Sequence, residues 1–211
     1  MGSEMCIRDS IKSKRARFGV KCFSLNARNG FTFDVELYLG ADTPSGEWCR
    51  DLDSVNHVSM SEQIVVELLH RNDFLNEGRQ VTVDNWFCSL PLSQFLLMKR
   101  TLIVGTIRSN RGVPEGLRSF KMQATSTEFV RNGDVLLTKF VDKREVYLLS
   151  TAHVAELEER SRRVRGGDEV RLMKPNVIQE YNATMDGTDE ADAMQHSVVC
   201  VRKSYAWNKK L

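Results

Sequence analysis

The chain has 211 residues, enough for one domain with a hydrophobic core. Its apolar fraction of 41% and charged fraction of 27% are ordinary for a globular protein, and no apolar run approaches the roughly 20 residues of a membrane span. The formal net charge is +2, so only local charge clusters can indicate a partner. The five cysteines and four histidines show no metal-ligand spacing, and the odd cysteine count favours a reducing, intracellular location over a disulfide framework.

The amino-terminal segment has no apolar centre and is therefore no signal peptide. Residues 5–10, MCIRDS, are similar to translated sequencing-adapter sequence. We expect residues 1–16 to be a non-native or disordered leader, and residues 17–211 to form the domain.

Alternation of apolar and polar residues predicts a strand over residues 19–25 and another over 31–39, joined by a hairpin turn at Asn29-Gly30. A capping box at residues 59–62 predicts the start of a helix. A short strand at 81–83 comes next, and Ser89 and Pro91 suit the start of a second helix. The nearly continuous apolar run 101–107 is typical of a central parallel strand that is buried on both faces.

The second half of the chain is less regular. Strands are predicted at 135–140 and 146–150, with insertions around 108–130 and 152–175, and a helix begins near residue 177 with an interruption near Asp186. This order of elements predicts an α/β fold, a mixed sheet flanked by helices. No glycine-rich nucleotide-binding loop is present in the sequence.

Two groups of carboxylates are candidates for chemistry. Asp84 stands where a strand ends, the edge at which α/β sheets form their functional crevice, and its oxygens suit Mg²⁺; the alternative is that Asp84 caps the following turn. The second group is acidic and spaced so that Asp189 and Asp192 share one helix face; the alternative is that these acids complement the dipole at a helix start. The remaining members of the second group are Asp186 and Glu190.

Basic residues are the third candidate feature. Arg108 and Arg111 follow the buried strand, and Arg202 and Lys203 lie near the end of the chain. Such side chains bind phosphate backbones, although a solvated surface is the alternative for each one of them.

Several motifs in order resemble one family. Residues 83–92, VDNWFCSLPL, are similar to the DN(W/F)(F/Y)xSxPL signature of piggyBac transposases and the domesticated proteins derived from them, and residues 103–111 with Pro114 are similar to the GTxRxNRxxxP motif. Residues 146–151, VYLLST, and 181–194, YNATMDGTDEADAM, resemble the family's VYxLST and YNxxMGGVDxxDxM. The resemblance extends from about Phe18 to the end of the chain.

The resemblance implies an RNase H-like fold, incomplete at its carboxyl end, with a DDE carboxylate set that binds Mg²⁺ or Mn²⁺ for DNA cutting and joining. It assigns the second and third carboxylates to Asp84 and Asp189, and a further metal-site acid to Asp192. It also implies contacts from the four basic residues to double-stranded DNA at transposon ends, a nuclear location, and a possible homodimer, with no membrane association.

Two positions depart from the family pattern. Ala27 (or Asn26, with a one-residue gap) stands where the resemblance places the first aspartate, so we expect a catalytically inactive, degenerate domain; Asp34 and Glu36 are nearby but poor replacements. Asp186 replaces a glycine that we expect at the start of a helix. The alternatives are a domesticated, non-catalytic DNA- or chromatin-binding protein and a pseudogene fragment without function.

Overall fold

The computed structural model describes residues 5–7, 22–38, 59–142, 144–163 and 169–197. The strands are β1 (Met5–Ile7), β2 (Cys22–Ala27), β3 (Thr32–Leu37), β4 (Gln80–Val83), β5 (Leu102–Thr106), β6 (Thr127–Asn132), β7 (Val135–Val141), β8 (Glu145–Ser150), β9 (Leu157–Arg163) and β10 (Glu169–Pro175). The helices are α1 (Met60–Arg71), α2 (Leu90–Met98), α3 (Glu115–Ser119) and α4 (Asn176–Ser197). No helix in these ranges is both long enough and apolar enough to span a membrane.

Eight strands form one sheet in the order β3-β2-β1-β4-β5-β8-β7-β6. Strand β4 runs parallel to both of its neighbours, β1 and β5, whereas the other pairs are antiparallel. The first five strands therefore form a mixed sheet, which β8, β7 and β6 extend. Strands β9 and β10 form a separate two-stranded hairpin. The predicted mixed α/β sheet with flanking helices is confirmed.

Strand β1 belongs to the segment that we expected to lie outside the domain. Met5–Ile7 lies between β2 and β4, with Cys6 paired to both Asn26 and Thr82. This segment therefore contributes a central strand, and the expectation of a disordered leader does not hold for these three residues.

The two faces of the sheet are covered by different helices. Helices α1 and α2 pack on the face that carries Phe23, Leu25, Val81 and Val83, and their apolar side chains complete the main core. Helix α4 crosses the other face, where Val177 packs against Val104 and Leu148. Because side chains alternate along a strand, the residues of β4 face the two sides in turn. Thr82 and Asp84 therefore share the α4 face.

The starts of α1 and α2 are connected through one buried carboxylate. The Ser59 backbone N–H donates to the Glu62 carboxylate over 2.6 Å, which confirms the predicted capping interaction. The other oxygen of Glu62 accepts from the hydroxyl of Ser89, and that hydroxyl accepts in turn from the Leu92 N–H. Helix starts leave backbone donors without partners, and this chain of hydrogen bonds satisfies them next to the core.

Several elements differ from the sequence-based expectation. The predicted insertion around 108–130 contains α3 and most of β6, and the predicted insertion around 152–175 contains the β9–β10 hairpin. Helix α4 is continuous through Asp186, because residues that disfavour helices singly are tolerated where the helix packs on a sheet.

Candidate functional site

The site lies where β4 and β5 end and α4 passes over them. A pocket of about 390 Å³ opens at this edge of the sheet. Its lining residues come from the end of β4, the end of β5 and one side of α4: Asp84, Asn85, Thr106, Tyr181, Asn182, Met185, Asp186 and Asp189. Asp84 and Asp189, which are far apart in the sequence, are thus brought to one pocket, as the family resemblance implies.

Asp84 serves the local fold as well as the pocket. One of its carboxylate oxygens accepts from the Trp86 N–H over 2.7 Å, and its backbone carbonyl accepts from Cys88 over 3.1 Å. An aspartate that bonds the backbone two residues ahead stabilises a tight turn. Asp84 therefore stabilises the following turn and also lines the pocket, while its role as a metal ligand stays a prediction.

Close packing behind Asp84 requires a glycine on the neighbouring strand. A Cβ at Gly105 would lie 2.6 Å from the Val83 carbonyl oxygen and 3.1 Å from the Cys88 sulfur. Burial raises the pKa of the Cys88 thiol far above its ordinary value, and nearby Asp84 and Glu62 raise it further, while Arg111 opposes this. Cys88 is therefore a protonated packing residue and not a nucleophile or a metal ligand.

Helix α4 presents one side to the pocket at four-residue intervals. Tyr181, Met185 and Asp189 lie on the same side, as this spacing predicts. The Tyr181 hydroxyl lies 3.3 Å from the Thr106 hydroxyl, and the Thr184 hydroxyl accepts from Thr82 over 2.8 Å. These contacts fix α4 to the ends of β4 and β5.

The acidic residues of α4 do not lie at a helix start. The helix begins at Asn176, so Asp186 lies at its middle and Asp189 in its second half, both beyond the first turn in which acidic side chains gain from the helix dipole. The expectation of a lost glycine at a helix start is likewise wrong, because Asp186 is exposed in mid-helix. The close contact here belongs to Gly187, where a Cβ would lie 2.7 Å from the Ala27 carbonyl oxygen. The side chain of Asp192 lies outside the described residues, so its metal role stays a prediction.

A second concavity continues the pocket towards β8. It has a volume of about 480 Å³ and shares Asn85 and Thr106 with the first pocket, and Arg108, Glu145 and Tyr147 are among its other lining residues. The Arg108 guanidinium donates to the Asn85 side-chain oxygen over 3.4 Å. We call the two concavities together the strand-end groove. It combines carboxylates at one end with an exposed arginine at the other.

Arg111 is held more firmly than Arg108. Its guanidinium donates to the Trp86 carbonyl over 2.7 Å and is half-buried, so it fixes the turn after Asp84 to the segment after β5. Arg111 therefore has a structural role beside any phosphate contact. Arg202 and Lys203 lie outside the described residues, and their assignment stays a prediction.

The proposed position of the first carboxylate at Ala27 is wrong. Ala27 pairs with Met5, which pairs with Val81 on the far side of β1, so Ala27 is level with a residue three before Asp84. The two positions are about 10 Å apart along the strands and about 10 Å apart across them. Paired residues also share a face, and Val81 faces the main core while Asp84 faces α4. An aspartate at 27 could not share an ion with Asp84.

The other positions considered from the sequence are engaged in contacts of their own. Asn26 is fully buried beside the hairpin hydroxyls: its amide donates to Ser24, and its oxygen accepts from Thr32. Asp34 and Glu36 both bind Arg71 of α1, on the face opposite α4. Asp34 and Glu36 are close to Ala27 in the sequence, but closeness in sequence does not bring a side chain to the pocket. The side chains of β2 and β3 point to both faces of the sheet and contact different elements on each.

The side chains of the pocket suit a divalent ion in their chemistry but not in their number. The oxygen donors of Asp84, Asp189 and Asn85 suit Mg²⁺ or Mn²⁺ chemically. Within the described ranges, however, no three acidic, histidine or cysteine side chains stand close enough together to hold a metal ion. The described residues of β1, the strand beside Asp84, are Met5, Cys6 and Ile7, which provide no carboxylate. The described side chains therefore do not form a two-ion site.

Several site residues were not predicted from the sequence. Thr106, Tyr181 and Met185 line the pocket, but no local sequence pattern pointed to them as site residues. The helical spacing of Tyr181 and Met185 before Asp189 is the one feature that could have indicated them. Lys139 was also missed, although a lysine in the middle of the apolar run 135–141 is unusual for a buried strand.

Comparison with known proteins agrees with this geometry. The family model described as Transposase IS4 matches residues 4–211, nearly the whole chain. A solved structure, that of a piggyBac transposase synaptic complex with hairpin DNA, is similar with a TM-score of 0.77 and 27% sequence identity. The match covers 98% of this chain and 43% of that one, so the chain spans less than half the length of the solved transposase. Transposases of the DDE type generally use a divalent metal ion. The chain belongs to the Transposase IS4 family and is of the piggyBac type.

Proposed function

We propose that this transposase-derived domain binds double-stranded DNA along the strand-end groove and does not by itself cut or join it. The observation that carries the proposal is the continuous groove, in which Asp84 and Asp189 stand at one end and Arg108 at the other. The similar piggyBac structure is a complex with DNA, which supports a DNA ligand.

Charge and shape favour a phosphodiester backbone as the ligand of the Arg108 end. Arg108 is exposed, and its planar guanidinium suits bidentate contacts to phosphate oxygens. The neighbouring Ser109 hydroxyl and Asn85 amide, which also line the groove, add neutral hydrogen-bonding groups of the kind that contact DNA backbones.

The lack of catalysis is proposed from the carboxylates. In a two-ion mechanism, metals about 4 Å apart stabilise the attacking and leaving oxygens of the phosphodiester, and carboxylates fix their geometry. Asp84, Asp186 and Asp189 provide carboxylates to the first pocket of the groove and Glu145 provides one to the second, and these described residues do not form a ligand cluster. Without ions held by the protein, these acidic groups repel a phosphate.

We propose the domesticated, non-catalytic protein rather than a fragment without function. The buried residues form one continuous core between the sheet and α1 and α2, which a chain unable to fold would lack. A protein of this kind acts on chromosomal DNA, so the proposal includes a nuclear location.

The test combines binding and cleavage by one purified chain. Fluorescence anisotropy with a labelled duplex measures affinity over a salt series, and gel analysis with Mg²⁺ or Mn²⁺ detects cut or joined products. Asp84→Asn is compared with Asp134→Asn, a change at the exposed β6–β7 turn. We expect salt-dependent binding, tighter for Asp84→Asn because a negative charge is removed, and no products.

Either half of the proposal can fail separately. Metal-dependent products that disappear in Asp84→Asn but persist in Asp134→Asn would show an active nuclease or strand transferase. Undetectable or salt-independent binding by all three proteins would contradict the DNA-binding function, and equal salt-dependent binding would contradict the placement of the DNA in the groove.

A further inference from the structure

Lys139 is the most deeply buried charged group in the part of the chain that the structure describes. It lies in the middle of β7 with none of its surface exposed. Its ammonium donates to three backbone carbonyls, those of Leu117 at 3.2 Å, Arg118 at 3.3 Å and Phe120 at 2.7 Å. Burying a lysine costs free energy because its ammonium leaves water, unless partners compensate for the loss. This arrangement therefore indicates a specific role.

The three carbonyls belong to the end of α3 and the residue just after it. The last carbonyls of a helix have no partners within the helix, and they carry the negative end of its dipole. The Lys139 ammonium supplies both the hydrogen-bond donors and the positive charge that this helix end lacks. Helix α3 has only five residues, and its own contacts, the exposed Arg118–Glu115 ion pair and the Ser119 hydrogen bond to the Glu115 carbonyl, do not connect it to the sheet.

Two side chains of β8 keep the ammonium charged. The Glu145 carboxylate lies 3.2 Å from it, and the Tyr147 ring centroid lies 5.4 Å from it. Burial alone would lower the pKa of Lys139, but the contacts with Glu145 and Tyr147 outweigh burial and raise it. Tyr147 is paired with Lys139 across β7 and β8, and its hydroxyl donates to Glu145 over 3.1 Å.

The segment held in this way is the one that carries Arg108, the arginine of the groove. The chain leaves β5 at Thr106, passes through Arg108 and Arg111, and reaches α3, where Leu117 enters the main core. In the first half of this segment, Arg111 binds the Trp86 carbonyl. In its second half, the end of α3 is bound by Lys139. Glu145 and Tyr147 line the same groove as Arg108.

We infer that Lys139 is a positioning residue, which fixes the segment 108–120 to the sheet and thereby sets where Arg108 meets DNA. This inference rests on the proposed DNA-binding function. Lys139 cannot contact DNA itself, because it is buried beneath α3. Its effect on binding must therefore act through Arg108 and the segment that carries it.

The test first examines the segment without DNA. Lys139→Met keeps the length of the side chain and removes its charge and donors. Hydrogen exchange followed by mass spectrometry should show at least tenfold faster exchange of amides in 113–121, with amides of α1 unchanged. Unchanged exchange in 113–121 would overturn the inference whether or not the protein binds DNA.

The second part measures DNA affinity in a double-mutant cycle with Arg108→Gln. If Lys139 acts through Arg108, the second substitution has a smaller effect once the first is present. Strictly additive effects would overturn the positioning role, whereas absence of binding by the unmodified chain would contradict the proposed function and leave the exchange result to decide the inference. Lys139→Arg retains charge and donors and should recover part of the protection.

Should Lys139→Met fail to fold, Glu145→Gln offers a milder variant. Glu145 is about half exposed, so its replacement leaves the core intact while it removes the partner that stabilises the ammonium. Faster exchange in 113–121 is again expected, with a smaller change. No change there would contradict the inference.

Discussion

The two long sides of helix α4 differ in how they meet the sheet. The side towards the ends of β4 and β5 carries Asp189 and opens on the pocket. On the other side, Glu180 accepts from Gln80 over 3.0 Å and lies 3.3 Å from His153, and Gly187 lies against the backbone at Ala27. One side is closed by hydrogen bonds and close packing, whereas the other lines the pocket with Asp186 and Asp189. The same helix thus provides stability from one side and the candidate site from the other.

The largest loss of stability is expected from adding a side chain at Gly187, on the closed side of α4. Gly187→Ala would place a methyl group 2.7 Å from the Ala27 carbonyl oxygen and 2.9 Å from the Arg28 Cα, both backbone atoms that cannot easily move. We expect a loss of about 1–3 kcal/mol in the free energy of unfolding, measured in urea. Gly116→Ala in α3 is the control, because nothing lies within 4 Å of a Cβ there. Equal stability of the two variants would show that α4 does not approach β2 closely.

The pH dependence of unfolding shows whether water from the pocket reaches the thiol of Cys88, which lies just behind Asp84. Because burial raises its pKa in the folded state, the unfolded chain loses this proton first, near pH 8.5. The resulting stability is complete below that pH, and it falls by about 1.4 kcal/mol per pH unit above it. The free energy of unfolding of the unmodified chain should therefore fall more steeply over pH 8 to 10 than that of Cys88→Ala, which retains Cys22, a second thiol whose pKa burial raises. Parallel curves would mean that water reaches Cys88 from the pocket.

A smaller effect is expected from the hydrogen bonds of the closed side. Glu180→Ala removes an acceptor shared by Gln80 and His153 and should lower the free energy of unfolding by about 1 kcal/mol. Asp186→Ala on the open side of the same helix should stay within about 0.5 kcal/mol of the unmodified chain. If the two variants lose the same stability, the two sides of α4 do not differ as described.

No effect on metal binding is expected from a carboxylate placed at position 27. Ala27→Asp should leave Mn²⁺ affinity unchanged in calorimetric titration, because position 27 faces the main core and lies far from Asp84. Asp189→Asn is the control on the open side. Gain of tight Mn²⁺ binding by Ala27→Asp, lost again in combination with Asp189→Asn, would restore the original assignment of the first carboxylate.

The elements that could be predicted from the sequence are those with strong local signals. The capping box at Ser59, the N-cap at Ser89 and the short strand before Asp84 are all present, because each depends on a few neighbouring residues. Strand β6 and the β9–β10 hairpin were missed, since their exposed, charged sequences lack the alternation of a half-buried strand.

Only part of the candidate site could be predicted from the sequence, because the rest depends on long-range strand pairing. The motifs identified Asp84 and Asp189, which the fold brings to one pocket. Position 27 was misassigned because which residue lies beside Asp84 depends on strand order and register. The insertion of β1 between β2 and β4 is a long-range property that no local pattern contains.

The central claim is that the strand-end groove binds DNA through Arg108. The most direct test is the salt dependence of duplex affinity for Arg108→Gln beside Arg131→Gln, an exposed arginine on β6 that donates to the Gly133 carbonyl in its own turn. One lost phosphate contact should reduce the slope of log affinity against log salt by about 1 for Arg108→Gln, with no change for Arg131→Gln. Identical slopes for both variants and the unmodified chain would contradict the account.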